Sequence, residues 1–598
     1  MKAMLTILTL AMTFQVSADS LIVMAPEADM ASKLEQINQN EQITLEYDRD
    51  LGLDRIRITV VQGDRASASA ALEQQGFSHV ETDQFLPTPE RRAVPVEARA
   101  GQLQSRALDL NQFNDPLFVS QTFLDDSGRS NRGASGIMAL RSSLTGSEGK
   151  VRIAVLDSGS LPHKDVQWSN DAANMVAFGS YCSLMSPNGG DETCASNYIS
   201  TRQRSNDATD KQWLGPDRNG NYAIAIDGHG LAVASHIGAT TNNGRGLVGI
   251  VPHNQVELVP VRVLSYHGGL SSDLADGILW AIGEYPHSDI SPISEPVDII
   301  NMSLAGNVGF SCAEDSYLYA AMEKAREKGV LLVAAAGNDS NDAALYSPGH
   351  CPDVINVASV TETGMLSWFS NYGEAIEFGV TGENIAGAYL NTGIYDGTSE
   401  FRSYCPDDGA DCYANFSGTS MASPVTAGIL ALLMLNHPDE NPYSLVGAAI
   451  ATAKGTTGQE DGELTTAAKM GIGHGIIDAQ ATMAYLDEGT LPPVTAEYRY
   501  PSVSSPVDLL ALEVVGQYVA DPCNMVSVRA GHLDQAVPSV RYQGVTHHAD
   551  GSQSNFSTSN PDIGVNRSLV ASMEVSVCNG TECGENQPVP LPPARTCS

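Results

Sequence analysis

From Lys150 onward, short apolar runs alternate with longer stretches of helical spacing, and that alternation leaves few architectures open. Val151 to Leu156, Val256 to Leu264, Val297 to Met302, Val330 to Ala336 and Val354 to Val360 are nearly continuous in apolar residues, the pattern of strands buried on both faces. Asp273 to Glu284 and Asp315 to Lys328 carry helical spacing between them. Strands separated by helices predict an α/β fold with a parallel sheet covered on both faces. Ligands of such sheets bind at the carboxyl ends of the strands. Asp157, Asn301 and Asn338 all fall where an apolar run stops.

Three stretches carry the chemistry: IAVLDSG around Asp157, DGHGLAVAS around His229 and FSGTSMASP around Ser420. A serine hydroxyl is a weak nucleophile by itself. An imidazole must take its proton, and a carboxylate must hold that imidazole in one tautomer. His229 sits between two glycines at the start of an apolar helix, Leu231 to Ile237, where backbone and substrate can approach the ring. Ser420 precedes Pro424 and the apolar run Val425 to Leu435. A serine at a helix start gains from the positive end of the dipole, and its N–H can donate to an oxyanion. The G-x-S-x-G elbow and chain order of α/β-hydrolases are absent, which counts against an esterase.

With its Asp…His…Ser order and these local contexts, the chain resembles the subtilisin-like serine proteases (subtilases) from about Asn114 to about Leu486. The resemblance implies a secreted serine endopeptidase of bacterial type with Asp157, His229 and Ser420 as its triad. It implies Asn338, in Ala334-Ala335-Ala336-Gly337-Asn338, as a second oxyanion donor through its side-chain amide. Ser303, Leu304 and Ala305 in the NMSLA segment, together with Ala334 to Gly337, would line the primary pocket, and Gly268, Gly269 and Leu270 would pair with substrate on the other side. Asp339 is expected at the pocket rim. The departures from the family pattern are Ser158 in place of Thr, Leu231 and Ala232 in place of Thr and a second His, and Leu270 in place of Gly. No cofactor is needed for the chemistry. A structural calcium at Asp165 and Asn243 is implied by the resemblance; a solvated Asp and an Asn-Gly turn describe the same residues, and Arg245 is unwelcome beside a cation.

Around this catalytic region, 114–486, the chain divides further. Residues 1–18 have a positive start at Lys2, a short apolar run and small residues at Val16-Ser17-Ala18, as an export signal does. Residues 19–90 alternate in the order βαββαβ, a ferredoxin-like α+β unit that resembles the inhibitory propeptide of subtilases. Residues 91–113 are polar and arginine-bearing, and are expected to form an exposed, cleavable linker. Beyond Leu491-Pro492-Pro493, residues 487–598 form a region predicted to be an all-β, sandwich-like domain, its end resembling a fibronectin type III unit.

Ten cysteines suit an oxidising compartment, and no CxxC pair or nearby histidine cluster favours zinc. Their spacing suggests pairs Cys182 with Cys194, Cys312 with Cys351 and Cys405 with Cys412, with two more among Cys523, Cys578, Cys583 and Cys597. The pair Cys312–Cys351 also matches a subgroup of secreted bacterial subtilases. The net charge of −37 argues against nucleic acid or an anionic membrane as partner and keeps an exported monomer soluble. The expected partners are protein or peptide substrates and the chain's own propeptide, with no stable membrane anchor. The alternative is an exported, inactive protein of the same fold that binds or adheres.

Overall fold

The computed structural model describes, with short gaps, residues 20–95, 113–178, 204–390, 411–454 and 471–487, and a set of strands between 514 and 589. The proposed export signal and the cysteines Cys182, Cys194, Cys405, Cys523 and Cys597 lie outside the described residues.

A seven-stranded sheet forms the centre, in the order Phe378–Thr381, Val354–Val360, Leu331–Ala335, Ile299–Met302, Val151–Asp157, Val256–Arg262, Val176–Ala177. Every neighbouring pair is parallel, an arrangement that needs long crossover connections between strands. Alternation along each strand splits the core. Ile153, Val155, Leu331 and Val333 face the helices His229–Gly238 and Thr419–Asn436, while Ala154, Leu156, Leu332 and Ala334 face Ser271–Ala281 and Tyr317–Glu327. The five apolar runs are therefore strands of one doubly covered sheet, and the α/β architecture read from the sequence holds.

Residues 20–82 fold around a separate core containing Leu21, Val23, Leu45, Ile58 and Leu72. Their four antiparallel strands run in the order Thr44–Gly52, Arg55–Gln62, Ser20–Met24, Ser78–Thr82, with helices Met30–Ile37 and Arg65–Gln74. Asp64 caps the second helix, accepting from the N–H of Ser67 at 2.9 Å. The last β-element of the βαββαβ order is two strands rather than one. Ser78–Thr82 stays in this sheet, and Phe85–Pro87 leaves it to pair antiparallel with Gly268–Leu270. Buried Asp83 makes the break. Its carboxylate accepts from the Ser271 hydroxyl, the Ser272 N–H and the Ser272 hydroxyl at 3.1, 3.0 and 2.8 Å, which binds it to the start of a helix in the catalytic region.

Within residues 91–113, read from the sequence as an exposed linker, one segment is ordered by pairing. Ala93–Pro95 is a strand, paired antiparallel with Asp411–Phe416 in a three-stranded sheet. Its short Ala-Val-Pro run has no alternation to read, and the partner strand that orders it lies more than 300 residues away. The C-terminal strands form one three-stranded and one five-stranded antiparallel sheet among the described residues.

Candidate active site

Asp157 is the last residue of a fully buried central strand. Its neighbour strand continues into Val263 and Leu264, whose N–H groups both donate to the Asp157 carbonyl, at 2.9 and 3.1 Å, so the backbone at the strand end is fixed. Both carboxylate oxygens reach the Nδ1 of His229, at 2.8 and 3.0 Å. Oδ1 also accepts from the Ser158 N–H at 2.7 Å. An Nδ1–H held between two oxygens leaves Nε2 as the basic nitrogen, the tautomer a general base requires.

His229 opens the helix His229–Gly238. Gly228 before it takes φ +76°, a left-handed conformation that a side chain disfavours. Gly230 after it has a different reason: a Cβ there would lie 2.5 Å from the Gly159 carbonyl and 3.3 Å from the Asp157 Cβ. The His229 helix thus meets the Asp157 turn at backbone distance. Leu231 and Ala232, where the family pattern differs, are buried in the core on this helix.

Ser420 is the second residue of the helix Thr419–Asn436, which has no side-chain cap. Its N–H is among the unpaired donors of a first helical turn. The Ser420 Oγ is buried and makes no hydrogen bond, so the hydroxyl is uncommitted. The rest of the serine is held firmly. Ser303 donates to the Ser420 carbonyl at 2.8 Å, Asn301 Nδ2 donates to Ser303 at 2.9 Å, and Ser423 donates to Asn301 Oδ1 at 2.8 Å. Ser303, expected in the pocket lining, thus has its hydroxyl turned to the nucleophile's backbone.

Asn338 follows Gly337, whose φ of +104° and crowded Cα exclude a side chain: a Cβ would stand 2.3 Å from the Asn371 amide. Asn371 is a residue the sequence did not single out. Its Oδ1 accepts from the N–H groups of Asp339 and Asn341, both at 3.0 Å, and its Nδ2 donates to the Ala336 carbonyl at 2.8 Å. It shapes the turn that presents Asn338. A single asparagine between Ser370 and Tyr372 carries no pattern that marks such a role. Asp339, expected at the pocket rim, is exposed.

Of the remaining residues expected to line the pocket, Ala334 and Ala335 end the strand Leu331–Ala335 beside Met302, and Leu304 and Ala336 are buried. Ala305 is half-buried. Gly268, Gly269 and Leu270 form the edge strand already occupied by Phe85–Pro87.

The expected calcium ligands do not fit a cation as they are arranged. Asp165 is buried, with Oδ1 accepting from Asn243 Nδ2 at 2.8 Å and Oδ2 from the Leu247 N–H and the Tyr413 hydroxyl at 2.9 and 3.1 Å. Asn243 Oδ1 takes the Arg245 N–H at 2.8 Å, which fixes its amide nitrogen toward Asp165. Amide nitrogens and donating hydroxyls are the wrong ligands for a hard cation. These residues make a hydrogen-bonded plug.

Among the cysteines, Cys312 and Cys351 form a disulfide with a Cα–Cα distance of 5.1 Å, joining the chain beyond the Asn301 strand to the one before Val354.

Comparison with known proteins agrees with this geometry. An "Extracellular protease" of Xanthomonas campestris pv. campestris is 34% identical over 333 residues, which are 55% of this chain and 50% of that protein. The "Minor extracellular protease Epr" of Bacillus subtilis is 31% identical over 307 residues, 51% of this chain and 35% of that one. The chain thus spans half of the first of these curated relatives and about a third of the second. The crystal structure of fervidolysin from Fervidobacterium pennivorans superposes with a TM-score of 0.54 at 17% identity, over 94% of this chain and 70% of that one, a likeness of fold. Residues 148–473, more than half of the chain, match the subtilase family profile, and the chain belongs to that family.

Proposed function

We propose that this protein is an exported serine endopeptidase made as a self-inhibited proenzyme. The observation that carries the reading is the Asp157 carboxylate on His229 Nδ1, at the strand ends where an uncommitted Ser420 hydroxyl opens a helix. In the mechanism, Ser420 Oγ attacks the peptide carbonyl while His229 Nε2 takes its proton. Asp157 steadies the imidazolium, and the Ser420 N–H with the Asn338 amide holds the oxyanion. His229 then protonates the leaving amine, and water, deprotonated by His229, releases the acyl group.

Residues 19–90 act as the inhibitor in this reading. Strand addition gives main-chain affinity to any extended peptide, and Phe85–Pro87 uses the Gly268–Leu270 edge that substrate would need. Arg49 of the same unit lies 2.7 Å from Asp276 and 3.3 Å from Asp273, and Glu81 accepts from the Tyr317 N–H at 2.8 Å.

The test is expression of the full chain beside Ser420→Ala under oxidising conditions. The proposal expects the parent alone to shed roughly its first hundred residues and to hydrolyse casein. Two folded, uncut and inactive proteins would instead favour a binding role.

A further inference from the structure

A second carboxylate stands behind the Asp157–His229 pair, and neither the motifs nor the mechanism above accounts for it. Asp210 is fully buried. Its Oδ2 accepts from the Ser158 hydroxyl at 3.0 Å and the Gly228 N–H at 2.6 Å, and its Oδ1 accepts from the Asp227 N–H at 3.1 Å. Ser158 is the residue after Asp157, and Gly228 is the residue before His229. The contacts therefore close a ring: Asp157 to His229 by the imidazole hydrogen bond, His229 to Gly228 by the chain, Gly228 to Asp210, Asp210 to Ser158, and Ser158 back to Asp157 by the chain. A second tie runs across it, since Ser158 Oγ accepts from the Gly230 N–H at 3.1 Å. Asp227 adds a third, accepting from the His229 N–H at 3.0 Å.

Resting on the peptidase reading, we propose that Asp210 is a positioning residue that locks the Asp157 turn and the His229 helix into register. The chemistry of the contacts demands a carboxylate. Two of its partners are backbone N–H groups, which can only donate, and Ser158 already accepts from Gly230, so its hydroxyl proton is free to point at Asp210. All three converge on acceptors at both oxygens. Burial, with the nearby charge of Asp227 second, raises the Asp210 carboxyl to about 6, so at neutral pH it is still ionised and accepts at both. An asparagine would leave an N–H facing an N–H on one side of the ring. The His229 helix has no side-chain cap from its own N-cap residue, Gly228. Its first N–H groups depend instead on Asp227 and on Ser158, and Ser158 and the turn before His229 are both held by Asp210. A triad is sensitive to such support because misplacement by about 1 Å costs roughly 100-fold in rate.

Nothing in the sequence around Asp210 marks it. It lies in DATDK, nineteen residues before His229 and separated from it by two strands, Gln212–Pro216 and Tyr222–Ala225, which pair antiparallel. Asp210 and Asp227 bracket that excursion, and the bond between them closes its base.

The experiment compares Asp210→Asn, Ser158→Ala and Ser158→Thr with the parent, using a peptide substrate at pH 8 after self-processing. Each substitution is also placed in a Ser420→Ala background to record the low-field proton resonance of His229 Nδ1 without turnover. The proposal expects Asp210→Asn to lower kcat by roughly 10- to 100-fold with KM changed less than about twofold. The Nδ1 resonance should shift or broaden in that variant. Ser158→Ala should show a smaller kcat loss that Ser158→Thr, which keeps the hydroxyl, restores. An unchanged kcat and unchanged resonance in folded Asp210→Asn would overturn the proposal, as would equal kcat losses in both Ser158 variants. If Asp210→Asn does not fold, the Ser158 pair decides alone. An inactive parent is a different failure: it rejects the peptidase reading, while the Nδ1 resonance still reports whether Asp210 positions the pair.

Discussion

The side-chain oxygen of Asn338 accepts from both the N–H and the hydroxyl of Thr419, at 2.8 and 3.0 Å. A backbone N–H can only donate, so the orientation of the amide is fixed and its Nδ2 is left as a donor. The same Thr419 hydroxyl accepts from the Gly337 N–H at 3.0 Å, so the residue before the nucleophile clamps the proposed oxyanion donor. Asn338→Ala should lower kcat by about 10²–10³-fold with little change in KM, because the lost bond strengthens only as the oxyanion forms. Steady-state kinetics on a peptide substrate will check it. A proportionate rise in KM at constant kcat would mean that Asn338 binds ground-state substrate instead.

The N-terminal unit, proposed above as the inhibitor, contacts the helix Ser271–Ala281 partly through a buried charge. Arg49 bonds Asp276, which is wholly buried and also takes the Tyr317 hydroxyl at 2.7 Å and the Arg204 guanidinium. Truncating one partner of a hydrogen-bonded, buried ion pair costs about 2–5 kcal/mol, equivalent to roughly 30-fold or more in affinity. Residues 19–90 added in trans to the processed enzyme should therefore inhibit at least ~30-fold less well as Arg49→Ala. An inhibition constant within a factor of three of the parent would show that strand pairing at Gly268–Leu270 supplies nearly all the affinity.

The parts of this protein that are legible in its sequence are those governed by local rules. Val151–Asp157 and Val354–Val360 are apolar over most of their length and buried at every position because both faces of a central parallel strand are covered, and the apolar runs show in a single line of sequence. Asp157, His229, Ser420 and Asn338 stand out because each sits at the junction of an apolar run with a glycine-marked turn. What stays hidden depends on long-range partners. Asp210 and Asn371 are polar residues that no local periodicity marks, and only the fold shows that three or more bonds converge on each. Ala93–Pro95 becomes a strand only because Asp411–Phe416 is there to pair with it. Asp165 is visible in the sequence, but its chemistry is not: the hydroxyl of Tyr413, 248 residues away, donates to its carboxylate at 3.1 Å.

That plug makes a prediction about metal. If Asp165 acts only through Asn243, Leu247 and Tyr413, then Asp165→Asn in the Ser420→Ala protein lowers the thermal midpoint equally with and without EDTA. A buried carboxylate with three donors should be worth several degrees when removed. Were Asp165 a calcium ligand, chelation would destabilise the parent and erase most of the difference between the two proteins. Thermal unfolding of both, with EDTA and with excess calcium, separates the cases.

His236 lies seven residues beyond His229 on the same helix, completely buried, with its ring edge-on to Phe123 at a centroid distance of 6.2 Å. Burial lowers its pKa from 6.5 to about 4. Between those values the unfolded chain binds a proton that the folded one refuses. Stability therefore rises with pH across that window and is lost as pH falls through it. At about 1.4 kcal/mol for each pH unit between the two values, the loss approaches ~3 kcal/mol at the acid end. Asp165 and Asp273, both raised to about 6 by burial, act in the opposite sense between 3.8 and 6, so the parent's total curve mixes the two. His236→Leu isolates the histidine, because leucine fills the site without titrating. In the Ser420→Ala background, the urea midpoint of His236→Leu should fall less than the parent's between pH 7.5 and 4.5. Parallel midpoints at both values would mean that the folded protein takes up the His236 proton without penalty, and that its acid sensitivity has another source.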